Sequence, residues 1–186
     1  MILCSHMNYY IIQVKSLKED EYIQRIEKRL EFRSKSQAFI FPKRELKIKK
    51  NGKTTKQTLP LFSSYIFIQT EEVDRQLYNI MKTTPYFYRF LPNNQSIQKL
   101  EGKDLSLIQH FLQFGKTIES SRVIFDENER IIVKEGPMKG LEGLITKVDR
   151  RKKRARIQVE LAQTPIIFDL SFDVIEKGGE NNATNL

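Results

Sequence analysis

The apolar period changes once along this chain, near residue 116. Before that point, short apolar or alternating runs are interleaved with stripes at helical spacing. Beyond it only period-two alternation remains. A chain with such a break cannot be one uniform sheet or bundle, so two differently built units are expected.

The first unit opens on Asn8–Val14, whose aromatic and β-branched residues read as a buried strand. Ser16 and Glu19 stand at capping-box spacing, and Glu19, Asp20 and Glu21 suit the positive end of a helix dipole. Tyr22, Ile23, Ile26 and Leu30 then form one apolar face. Residues 37–46 return to strand character. The polar, basic stretch 47–58, centred on Asn51-Gly52, reads as an exposed hairpin tip. Residues 64–70 are the next strand, with Thr70 expected to cap a helix whose stripe is Val73, Leu77, Ile80 and Met81. Pro85 stops that helix, and Tyr86–Leu91 is a further strand. The order β-α-β-β-α-β predicts an α+β, ferredoxin-like sandwich, two helices covering one face of an antiparallel sheet. An extra helix follows, with Leu105, Ile108, Phe111 and Leu112 on one side and Gly115 as its stop.

The second unit consists of short strands separated by turns. In residues 154–162, Ala155, Ile157, Val159 and Leu161 face one way and Arg154, Arg156, Gln158 and Glu160 the other, as in a half-buried strand of a small barrel or sandwich. The expected organisation is 7–115, a linker 116–122, a strand-rich unit 123–177 and a mobile polar tail 178–186. Residues 1–6 look like an expression scar, with Met7 as the expected native start.

Between two strands of this second unit, Gly136-Pro137 makes a turn, and Gly140 and Gly143 permit conformations or approaches that a β-carbon would strain. The nucleotide-phosphate loop pattern is absent. Close behind comes the basic run Arg150, Arg151, Lys152, Lys153, Arg154, continued by Arg156, at the tip of the next strand pair. It can meet nucleic-acid phosphates as a cluster or be a solvated turn. Lys and Arg outnumber Asp and Glu by 32 to 23, for a formal charge of +9. That excess serves solubility or a polyanionic partner.

Other chemistries find little support. The single cysteine, Cys4, excludes an intrachain disulfide and, like His6, falls in the scar. His110 has no neighbouring ligand, so neither a metal site nor a histidine- or cysteine-based nucleophile is expected. There is no carboxylate cluster of the kind a nucleic-acid-processing enzyme would need. A non-enzyme without cofactor is expected. No apolar run could span a bilayer and no signal peptide is visible, so a cytoplasmic protein with no membrane contact is expected.

The glycine-proline loop at residues 130–157 resembles the KOW motif, a strand-loop-strand element of small SH3-like β-barrels. Residues 60–69, "PLFSSYIFIQ", look like the aromatic segment of NusG-type transcription factors. The β-α-β-β-α-β order resembles their N-terminal (NGN) domain. The Phe-Ser-Ser-Tyr turn departs from the proline-glycine turn of the general factor, and "YFYRF" looks closer to the specialised RfaH and LoaP paralogues, which load on selected operons and suppress pausing and termination.

That resemblance implies docking of the first domain on the clamp helices of RNA polymerase through an aromatic depression. By position the candidates are Phe62, Tyr65, Phe67 and Phe87, with Ile97 from the loop after that strand. Arg75 and Gln76 are nearest to a second contact across the polymerase cleft. The residues agree in part. Ile66 and Ile68 share the strand face that should meet the helices, so the Tyr65/Phe67 face needs another cover, for which a partner is one option. An aromatic surface without an intramolecular lid is the expectation. Lys43, Arg44, Lys47, Lys49, Lys50, Lys53 and Lys56 crowd the first hairpin and could follow upstream or non-template DNA or emerging RNA, or form a soluble arm. The resemblance gives the barrel nascent RNA, a ribosomal protein or a termination factor as partners, in a monomeric factor. Strong alternation in 154–161 predicts a stable barrel rather than one that refolds to helix. The competing reading is a ribosome-associated or ribosome-assembly RNA-binding KOW protein, which gives no reason for an uncovered aromatic patch.

Overall fold

The computed structural model describes residues 7–31, 36–50 and 53–175. The proposed scar at 1–6 and tail at 178–186 lie outside them. Four strands, β1 (Asn8–Val14), β2 (Gln37–Ile40), β5 (Tyr65–Thr70) and β6 (Phe87–Phe90), form an antiparallel sheet in the order β2-β5-β1-β6. This is the ferredoxin-like arrangement. Helices α1 (Glu19–Leu30) and α2 (Arg75–Lys82) cover one face, burying Tyr22, Ile26, Leu77 and Met81 against Ile12, Val14, Ile66 and Ile68. The Tyr22 hydroxyl ties the helices by donating to the Met81 carbonyl at 3.2 Å.

Two helix starts differ from expectation. The Ser16–Glu19 capping box does not form: the Ser16 hydroxyl pairs with Ser63 Oγ at 3.2 Å, and α1 has no side-chain cap. Asp74, rather than Thr70, caps α2, accepting from Leu77 N at 2.8 Å. Thr70 is buried, and its hydroxyl is directed at the carbonyls of Ser36 and Glu72. A side chain already committed to the end of a buried strand cannot turn out to cap a helix several residues on.

Between β2 and β5 the chain runs out as a long hairpin, β3 (Lys43–Lys50) and β4 (Lys53–Pro60), paired from Lys43↔Pro60 to Lys50↔Lys53. After α3 (Gly102–Leu112), strand β7 (Thr117–Ile118) joins this hairpin parallel to β3. The stretch expected as linker therefore contributes a strand, and Ile118 is fully buried. Strands β8 (Ser121–Phe125), β9 (Ile131–Glu135), β10 (Ile145–Asp149), β11 (Arg154–Leu161) and β12 (Thr164–Val174) follow in the order β10-β11-β12-β8-β9. Ala155, Ile157, Val159 and Leu161 alternate inward as their spacing predicts.

One apolar cluster lies between α1, α2 and the sheet. The other runs unbroken from the opposite face of that sheet, through Ile108 and Phe111 of α3, into the inner face of the barrel at Ile157, Phe168 and Phe172. No helix among the described residues is long and apolar enough to cross a membrane.

Candidate functional site

Alternation along β5 sends Ile66 and Ile68 to the helices and Tyr65 and Phe67 to the other face. Phe62, in the turn ahead of β5, joins that second face. The expectation of an uncovered aromatic surface is overturned, because Phe62 and Phe67 are 0% exposed. Their cover comes from both domains. The Phe62 ring packs edge-to-face on Phe67 at 5.5 Å, on Phe111 of α3 at 5.7 Å and on Phe168 of β12 at 5.1 Å, and Phe111 meets Phe168 at 5.7 Å. Such T-shaped contacts match ring edges to faces and add to the burial of large apolar area. Tyr65 remains half-buried at the margin.

Phe87 and Ile97 do not join this group. A bulge at Gln13/Val14 sets Phe87 opposite Val14, and both Phe87 and Ile97 pack in the helix-side cluster, Phe87 against Phe90 at 5.6 Å. Arg75 and Gln76 are exposed on the first turn of α2.

The aromatic turn is held from an unforeseen direction. Ser64 adopts φ +72°, and its N–H donates to Glu19 Oε1 at 2.8 Å, with Glu19 only 3% exposed. The first turn of α1 thus fixes the loop between Phe62 and Tyr65. In the sequence, Glu19 already had an explanation as a capping residue, which hid this role.

A polar seam surrounds the aromatic contact. Asp104 of α3 accepts from Ala162 N at 2.8 Å. His110 Nε2 lies 2.7 Å from the Pro137 carbonyl. A carbonyl only accepts, so Nε2 carries the proton and Nδ1 is left to accept from Gln113 Nε2 at 3.3 Å. On the hairpin side, Lys47 Nζ meets Asp173 at 2.6 Å, Ser171 Oγ donates to the Glu45 carbonyl at 3.0 Å and Arg154 donates to the Lys47 carbonyl at 3.1 Å. Arg44 donates to the Leu61 carbonyl at 3.0 Å, and burial lowers its pKa, with nearby Asp169 opposing and Arg154 reinforcing that shift. Arg44 Nε and Arg154 Nε are buried without an acceptor among the described residues.

The glycine-proline loop serves this seam as well as the barrel. Gly136 has φ +98°, and a Cβ there would stand 2.7 Å from Ser121 Cα. Gly140 has φ +83°. Gly143 has open space and no left-handed φ, so the expectation that it relieves strain fails there. Met138 N donates to Ser121 Oγ at 2.9 Å, and its side chain is fully buried.

The basic residues divide into paired and free. Arg150 donates to Glu129 Oε1 at 3.1 Å and lies 4.0 Å from the centroid of Phe125, while Arg156 pairs with Asp169 at 2.9 Å. On the first hairpin Lys47 is engaged by Asp173, Lys43 by Asp20 and Lys56 by Glu45. The side chains of Lys49, Lys50 and Lys53 lie outside the described residues. Arg151, Lys152 and Lys153 are exposed and have no side-chain partner among the described residues. Their turn is shaped by Asp149, whose Oδ1 accepts from Lys152 N at 2.8 Å, and that bond lowers the carboxyl pKa. No group of three or more His, Cys, Asp or Glu among the described residues could hold a metal ion.

Comparison with known proteins places this architecture. A family model described as "Transcription termination factor nusG" matches residues 7–109. The transcription termination/antitermination protein NusG of Xylella fastidiosa (strain Temecula1) is 22% identical over 181 residues, covering 91% of this chain and 98% of that one. The NusG of Halalkalibacterium halodurans is 26% identical over 180 residues, with the same coverage of each. A solved structure described as "Domain interaction in Thermotoga maritima NusG" superposes with a TM-score of 0.60 at 17% identity, over 89% of this chain and 93% of that one.

Proposed function

The chain belongs to the NusG family of transcription termination/antitermination factors, and we propose that it is a specialised, processive antiterminator. It docks on the RNA polymerase clamp helices through Phe62, Tyr65 and Phe67. The carrying observation is that these three share one sheet face whose cover is assembled partly from another domain. Polymerase binding then requires the barrel to move aside, carrying Phe168 away from Phe62. The polymerase helices replace one apolar cover with another, a population shift driven by differential binding. The seam suits such exchange, because the buried Nε donors of Arg44 and Arg154 lack acceptors among the described residues. The Thermotoga maritima NusG structure is described by a domain interaction in that protein, and the domain contact in this chain corresponds to a closed state.

Arg75 and Gln76, exposed on α2, are assigned to the opposite side of the polymerase cleft. Bridging the cleft disfavours the opening that accompanies pausing. Phe87 and Ile97 support the sheet from the helix side. The barrel offers Arg151, Lys152 and Lys153 to nascent RNA. No step is enzymatic, since each acts by binding alone. Recovery of polymerase on the full-length protein tests the docking: Tyr65→Ala/Phe67→Ala should lose most of it, and equal recovery would sink the assignment.

A further inference from the structure

The closed arrangement brings two hairpins from different domains side by side. The β3–β4 hairpin presents Ile48 and Thr54, and the β10–β11 tip presents Arg151, Lys152 and Lys153, across a groove of about 810 Å³. Lys47 and Arg154 also line it, and they join its walls through the bond from Arg154 to the Lys47 carbonyl. We propose that a single-stranded nucleic acid lies by its phosphates in this groove, and that the groove exists only while the domains are closed, so strand binding and domain opening oppose each other. The proposal rests on the nucleic-acid reading of the tip given above, and adds the second wall and the linkage.

Charge argues for a polyanion. The neighbouring carboxylates are committed: Asp173 to Lys47, Asp169 to Arg156, Glu45 to Lys56 and Asp149 to its own turn. The side chains of Arg151, Lys152 and Lys153 form no hydrogen bond or ion pair among the described residues, and the Arg154 bond goes to a neutral carbonyl. Cations whose side chains form no ion pair, set along one wall, suit evenly spaced phosphates. Among the described residues the lining contains no aromatic ring on which a base could stack. Recognition is therefore of the backbone, with little sequence preference. Opening the domains removes the Ile48/Thr54 wall, so by thermodynamic reciprocity a ligand of the complete groove must favour closure.

The test uses the full chain with Cys4→Ser, dyes at Gln98→Cys and Asn128→Cys, and a twelve-nucleotide single strand as RNA and as DNA. Transfer efficiency reads the domain separation and anisotropy reads affinity. Both strands should bind within a few-fold of each other and shift the population towards the closed state. Lys152→Glu/Lys153→Glu should weaken binding and reduce the log–log salt slope by about 1.4, at about 0.7 per phosphate contact. Asp104→Ala/His110→Ala, which leaves the groove lining untouched, should open the domains and weaken binding at least tenfold. Phe168→Ala replaces it if the transfer signal shows the domains still closed. If charge reversal changes nothing, the nucleic-acid reading itself falls. If charge reversal weakens binding but the opened variant binds like the wild type, the strand sits on the barrel alone and the shared groove is overturned. A hundredfold preference for either strand would refute recognition by the backbone.

Discussion

Gly136 shows how one missing β-carbon can set a loop. Its φ of +98° and the 2.7 Å approach to Ser121 Cα leave no room for a side chain, and the obstacle is backbone, which cannot rotate away. Gly136→Ala should cost more than about 2 kcal/mol, since the left-handed conformation alone costs about 1–2 kcal/mol for a residue with a β-carbon. Gly143→Ala, with open space around it, should leave the denaturation midpoint almost unchanged. Urea unfolding of both variants checks the contrast. Glu21 carries a pH signature. Hydrogen bonds from Lys18 and then Arg25 are the main causes that hold its carboxyl near a pKa of about 2, below its ordinary 4.5, with Tyr86 adding a weaker one. A depressed folded-state pKa stabilises above the unfolded value and loses that contribution as pH falls through the folded one. The stability gap between wild type and Glu21→Gln should therefore be fullest above pH 4.5 and close as pH falls towards 2. A gap independent of pH would contradict this.

At the scale of elements, strand and helix identity follow from period, and boundaries follow from what the neighbours need. Strand β1 runs over Asn8–Val14, as its apolar run predicts, because a central strand is apolar on both faces and its ends are marked by polar residues. The starts of α1 and α2 were less legible. Ser16, Glu19 and Thr70 each have the right chemistry for capping, but each has a tertiary partner instead. Strand β7 has only Thr117 and Ile118, too short for any period, and it exists because β3 offers an edge. For β11, local pattern and tertiary setting agree, since its inward residues are buried along the whole strand. The isolated segment Glu119–Lys177 should accordingly give a strand-type circular dichroism spectrum, and a mainly helical one would show that the docked first domain dictates the β state.

For the whole molecule, the decisive contact is Phe168 seated against Phe62 and Phe111. Truncating a buried phenylalanine costs about 3–5 kcal/mol. Here part of that loss falls on the domain contact and part on the barrel core. Phe168→Ala should therefore increase recovery of polymerase on the immobilised protein, as less cover has to be displaced, while lowering the melting temperature. Unchanged recovery alongside a lower melting temperature would mean that the barrel does not guard the aromatic face. Phe168→Ala combined with Tyr65→Ala/Phe67→Ala should return recovery to background, because the anchors themselves are gone.

The sequence alone settled the period of each segment, the ferredoxin-like order, the division of β5 into an isoleucine face and an aromatic face, and the position of the basic tip. These depend on neighbours a few residues apart, and spacing along the chain encodes them. Only the tertiary structure decided what covers the aromatic face, which cations are neutralised and where Phe87 points. Phe62 and Phe168 are separated by most of the chain, Lys47 meets an aspartate in another domain, and one bulge in β6, opposite Gln13 and Val14, resets its register with β1. Apolar attraction has no direction, so a pattern can show that a face must be buried without naming what buries it.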